Sequence, residues 1–245
     1  MSDPLRIALV AEGPTDGVVI EAALRSILGD RPFVLNQIFP EGSDGFGEMG
    51  TGWVGVYRWC HQSAKRGQGS LAGDQLVFQN FDVLILHVDA DVAGCDYADG
   101  TLEPTATDRP LPCEMPCPPP QDTTDPLRAV LMSWCGGTSL PAQTVICMPS
   151  KSTEAWVVAS IFPGDAAMKR GIECFANAEA RLGQQPKAKR FRKKKRDYQD
   201  RVDLLVAAWP RIAASNALGE AHRFQSEFLA AVPGQLSGHF VRLGQ

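Results

Sequence analysis

Two short, almost wholly apolar runs, each ending in acids, constrain this chain more than any other feature. Residues 5–11 (LRIALVA) lead into Glu12, Gly13 and Asp16, and residues 82–88 (DVLILHV) lead into Asp89 and Asp91. A strand with one wet face alternates apolar and polar residues; these do not, so they read as strands buried on both faces of a parallel sheet. Open α/β sheets receive their ligands beyond the carboxyl ends of the strands. Four carboxylates are therefore expected to meet at one edge. Such a cluster repels itself unless protons or a cation compensate it, and a hard, oxygen-seeking ion, Mg²⁺ or Mn²⁺, meets that need.

The remaining pattern alternates in the same way. Residues 14–28 carry apolar side chains at 19, 20, 23, 24, 27 and 28, a helical stripe with Pro14 in its first turn. Residues 33–39 read as a second strand, 53–64 as an amphipathic helix, 126–135 as a helix, 143–148 (QTVICM) as a further strand and 153–161 as a helix. From 171 onward only helical stretches recur, at 172–182, 198–209 and 220–232. The reading is an α/β, Rossmann-like, mostly parallel sheet flanked by helices over 1–170, with a helical extension over 171–245. Residues 89–126 interrupt it with eight prolines and nine acids against a single Arg109. That composition predicts a long loop, an insertion at 92–126, serving as a lid or a partner surface.

Charge is distributed unevenly. The chain has 24 Lys+Arg and 28 Asp+Glu, yet eight of the basic residues fall within 187–196 (KAKRFRKKKR). A basic arm on an acidic body is the footprint of a phosphate-backbone contact, carried here by Arg190, Arg192, Lys193, Lys194, Lys195 and Arg196. Seven cysteines without regular spacing read as reduced thiols, and no apolar stretch approaches the ~20 residues of a membrane span. The amino terminus lacks the pattern of a cleavable signal, so the expected location is the cytoplasm. Cys113 and Cys117 have a spacing that zinc tolerates, but no second close pair completes a site.

Three strand ends carry chemistry. In EGPTD, Glu12 stands at a strand tip and Gly13 allows a sharp turn, while Asp16 falls in the first helical turn, where the macrodipole favours an anion. In DAD, Asp89 and Asp91 point the same way if the strand persists. In PSKSTEAW, Glu154 opens a helix while Lys151 and Ser152 are placed to meet a phosphate. Asp96 reads as part of the acidic loop, and His87 as a core residue.

The order EGxxD, then DxD, each after a buried strand, resembles the Toprim fold shared by topoisomerases, bacterial primases and the overcoming-lysogenisation-defect nucleases. Residues 5–162 carry the resemblance, and PSKSTEAW is similar to a segment of small bacterial Toprim-like proteins. It implies Mg²⁺ or Mn²⁺ bound by Asp89 and Asp91, with Glu12 as acid/base or ligand. It also implies Asp16 and Glu154 as further acids, and metal-dependent hydrolysis of phosphodiester bonds in DNA or RNA, in phage defence or nucleic-acid processing. The alternative it implies is a noncatalytic or partner-activated subunit that joins a separate ATPase. No strand-transfer tyrosine domain fits in 245 residues, which argues against a topoisomerase. GFGEMG spells GxGxxG at Gly45, Gly47 and Gly50 but stands apart from the preceding strand, so it reads as a loop rather than a dinucleotide site. No GxxxxGK[ST] is present, so the chain is not expected to hydrolyse ATP alone.

Overall fold

A computed structural model describes residues 3–40, 49–164, 171–175, 177–184, 192 and 194–234. Four parallel strands form one sheet: β1 (Leu5–Val10), β2 (Phe33–Phe39), β3 (Val83–His87) and β4 (Thr144–Cys147), in the order β2-β1-β3-β4. The register sets Ile7 beside Val83 and Leu84 beside Thr144. From β1 the chain steps outward through α1 (Pro14–Leu28) to β2. It then crosses through α2 (Gly52–Arg66) and the short α3 (Gln75–Phe78) to β3, on the other side of β1. The order thus reverses between β1 and β3, and a crevice opens at their carboxyl ends.

Period-two alternation sorts the strand residues between two cores. Leu5, Ile7, Leu9, Val83, Ile85, Val145 and Cys147 face α1 and α5 (Glu154–Ile161). Ala8, Val10, Leu84, Leu86 and Ile146 face α2 and α4 (Gln121–Trp134). Both faces are covered, which is why the strands read as unbroken apolar runs.

The chain after 171 contributes α6 (Ala178–Gly183), α7 (Lys195–Gln199), α8 (Val202–Ala213) and α9 (Gly219–Ala231). These helices lie against α1 and α5 in the same core as β1, with Trp209, Phe224 and Phe228 fully buried beside Trp156. Trp156 meets Trp209 edge-on at 5.3 Å between ring centroids. The helical extension therefore forms one layer of the sandwich.

Several expectations change. The helix expected from Pro126 begins at Gln121, because Thr123 and Thr124 donate to the Pro120 carbonyl and Thr124 Oγ1 reaches Glu220 Oε1 at 2.9 Å. The helix expected over 172–182 is divided into a 3-10 turn, Ile172–Cys174, and α6. Glu173 there turns to accept the Glu220 amide and Cys174 is tied sideways, so the segment cannot keep one helical register.

Cys117 and Cys174 form a disulfide, whereas all seven cysteines were expected to be reduced. Cys113 is exposed and separate from that bond, so the Cys113/Cys117 pair is not a zinc half-site. The cysteine pattern consequently gives no support to a reducing compartment. Among the described residues no helix is long and apolar enough to cross a membrane.

The proline-rich insertion is packed rather than bare loop. Tyr97 OH accepts from Trp134 Nε1 at 2.8 Å and donates to the Arg109 carbonyl at 2.7 Å, while Arg109 N reaches Ser133 Oγ. Asp96 and Asp99 close a capping box on the turn Tyr97–Gly100, which explains Asp96 without a ligand.

Candidate metal centre

At the crevice between β1 and β3 the acidic strand ends meet. Glu12 Oε1 accepts the Asp89 amide at 2.8 Å, joining the two strand tips directly. Asp16, in the first turn of α1, is buried, and its Oδ1 accepts from Thr153 Oγ1 at 2.7 Å, which joins α1 to the start of α5. The Pro149 carbonyl accepts from Ala90 N at 3.0 Å, so the ends of β3 and β4 are held together as well. Gly13 is extended, at φ −148°, a conformation open to any residue. A Cβ there would lie 3.2 Å from Asp16 Oδ2, so close approach of that carboxylate, rather than a sharp turn, favours glycine.

His87 joins this group. It is fully buried, its Nε2 lies 3.1 Å from Asp89 Oδ1, and Asp16, His87 and Asp89 each offer a ligand atom within 4.8 Å of the others. The sequence reading placed it in the core and paired Asp89 with Asp91 instead. The strand alternation does pair two residues on one side, but they are 87 and 89. The backbone then enters a 3-10 turn, Ala90–Val92, which carries Asp91 to an exposed position away from the grouping. A histidine two residues before an acid at a strand end was the available signal.

Glu154 is also buried, and its Oε1 accepts from Tyr198 OH of α7 at 2.6 Å. Lys151 is buried and ion-paired with Glu114 of the insertion. Ser152 is half-buried at the same strand end. In the basic arm, Arg192 pairs with Asp197, while Lys194, Lys195 and Arg196 are exposed at the start of α7, whose Tyr198 reaches Glu154. Arg190 and Lys193 lie outside the described residues, as do Gly45 and Gly47 of the glycine-rich segment.

The electrostatics follow from crowding acids around one imidazole. Burial first, and then repulsion from Asp89, push the Glu12 carboxyl well above its usual range. Asp89 is raised to about 7, chiefly by burial against the opposing pull of His87. Burial alone would lower His87, yet Asp16, Asp89 and Glu12 together lift it to about 9. Acids outnumber cations here, so Glu12, His87 and Asp89 hold their protons more tightly.

The residues fit a divalent cation. Asp16 and Asp89 supply hard oxygen donors and His87 an imidazole, a mixed set that suits Mn²⁺ and other first-row ions as well as Mg²⁺. His87 Nδ1 is buried with no hydrogen-bond partner among the described residues, so nothing among them offsets its desolvation. Comparison with protein-family models, with curated proteins and with solved structures finds no match.

Proposed function

We propose that the protein is a Mg²⁺- or Mn²⁺-dependent phosphodiesterase, a Toprim-like nuclease acting on DNA or RNA. The observation that carries this reading is the convergence of Asp16, His87 and Asp89, with Glu12 bonded to the Asp89 amide, in the crevice where the strand order reverses. Asp16, Asp89 and His87 would hold the cation. When bound, it supplies Lewis-acid stabilisation of phosphoryl charge and acidifies water.

The chain's own groups do the rest. Glu12, whose carboxyl burial pushes well above its usual range, can exchange a proton with water or with the leaving oxygen. Thr153 fixes Asp16, and the Tyr198 hydroxyl fixes Glu154, so the acids are oriented before substrate arrives. Lys151 stands at the β4 end to meet a phosphate. The exposed Lys194, Lys195 and Arg196 extend a basic track from the same quarter of the molecule, through Tyr198.

The purified protein, incubated with plasmid, single-stranded DNA and RNA in Mn²⁺ or Mg²⁺, is expected to cleave at least one of them. Chelator or Asp16→Asn/Asp89→Asn should lower the rate by roughly 100-fold or more, since even outer groups of metal sites are worth 10–100-fold. Cleavage untouched by the double substitution would remove the site from the reaction. One observation favours a second reading, a subunit activated by a separate ATPase or another partner: Glu114 already covers Lys151. An inactive pure protein that cuts once that partner is added would select it.

A further inference from the structure

Residues 112–123 of the acidic insertion are held by bonds within the insertion and, through Cys117 and Glu114, against the residues that follow β4. The Pro112 carbonyl accepts from Gly94 N at 2.8 Å, and Met115 N reaches Thr123 Oγ1 at 2.9 Å. Cys117 Sγ lies 3.6 Å from Ser150 Oγ and is bonded to Cys174 Sγ. Between these ties Glu114 pairs with Lys151. The Glu114 side chain is 54% exposed, whereas that of Lys151 is 10% exposed.

The asymmetry is informative. A nearly buried ammonium needs an anion beside it, but an anion that is itself mostly in water makes a weak, salt-screened bond. Such a pair cannot hold a proline-rich strap by itself. A covalent tie three residues away, between Cys117 and Cys174, restricts where the strap can go and so raises the effective concentration of Glu114 at Lys151. Cys117 and Cys174 are both half-buried, and Cys174 lines an open groove of about 540 Å³ together with Pro118, Glu173 and Ala217. A reductant can therefore approach.

We propose that residues 113–117 are an autoinhibitory strap: the Glu114 carboxylate takes the seat on Lys151 that a phosphate oxygen of a polyanionic substrate takes, and the Cys117–Cys174 disulfide is the clasp. This rests on the phosphate role given to Lys151 above. Opening needs a dithiol reductant. Its thiolate attacks Cys174 Sγ, the S–S bond breaks, and Cys117 leaves as a thiolate that takes up a proton. The reductant's second thiol then cleaves the mixed disulfide, so the protein gains two electrons and two protons and the dithiol departs as its own disulfide.

Two readouts on the full-length chain test this, both with divalent ions chelated. One is acetylation of Lys151 by an amine-reactive ester, followed by mass spectrometry; the other is binding of a short single-stranded oligonucleotide. Reduction with dithiothreitol, or Cys117→Ser/Cys174→Ser, should raise both Lys151 labelling and oligonucleotide affinity by roughly tenfold, the size of one charge-assisted contact. Glu114→Gln, at an exposed position that folding tolerates, should raise both with the disulfide intact. Labelling that is equal in the oxidised, reduced and substituted proteins overturns the strap, even if the reduced protein binds and cuts nucleic acid. Free labelling of Lys151 without oligonucleotide binding in any form overturns the phosphate role of Lys151, and with it the seat assigned to Glu114.

Discussion

His87 carries a charge that the burial of its ring opposes, and that conflict makes it the most testable residue of the site. Raised from 6.5 to about 9, it binds its proton more tightly in the folded chain. Its contribution to stability is full below pH 6.5 and is lost as pH rises through 9. Asp89, raised from 3.8 to about 7, acts in the same sense over a lower window, since its contribution is lost as pH rises through 7. Metal-free protein should therefore melt at progressively lower temperature from mildly acidic to alkaline pH, and Mn²⁺ should recover more stability the higher the pH, because the cation replaces departing protons. Asp89→Asn should move the His87 midpoint, followed by NMR of its ring, back toward the ordinary value. A wild-type midpoint near 6.5 would contradict the crowding of acids described here. His87 was placed in the core because a lone histidine in an apolar run has the same pattern whether it is packed or faces a site; only its place two residues before an acid at a strand end pointed the other way. Asp91 stands outside that grouping for a related reason: two aspartates two apart share a side only while the strand continues, and nothing in DADVAG marks where it turns.

Among the elements, α5 does the most to shape the site. Its cap residue, Thr153, is fully buried and donates to Asp16 on a different helix, so the entry of one element sets the orientation of an acid on another. Thr153→Val keeps the shape and deletes the donor. Urea unfolding should show a loss of about 1–3 kcal/mol from the deprived buried carboxylate, and Mn²⁺ affinity should fall by roughly tenfold. Thr153→Ser should restore both, and a Val variant with unchanged metal affinity would show that Asp16 needs no such support. Elements were legible where one local signal dominated: β2 spans Phe33–Phe39 as its pattern implies, and α1 begins at Pro14. They were not legible where tertiary ties set the boundary. The early start of α4 depends on Glu220, nearly a hundred residues away, and the break within 172–182 on a disulfide whose partner lies in the insertion.

At the scale of the molecule, the sheet brings three distant strand ends together, and its parallel α/β architecture was readable because strands buried on both faces have few other settings. The basic arm was readable as charge but not as position. Of its described residues, Lys194, Lys195 and Arg196 lead into the buried Tyr198, whose hydroxyl is bonded to Glu154. Replacing Lys194, Lys195 and Arg196 by Ala should flatten the slope of log affinity for nucleic acid against log salt by roughly two to three, at 0.7–0.9 per phosphate neutralised. An unaltered slope would assign these side chains to solvent. The burial of Trp209, Phe224 and Phe228 against Trp156 and the first strand has a temporal corollary. A ribosome delivers β1 and α1 long before the helices that shelter them, so the nascent chain must keep one side of its sheet exposed over that interval and is a natural client for a holding chaperone.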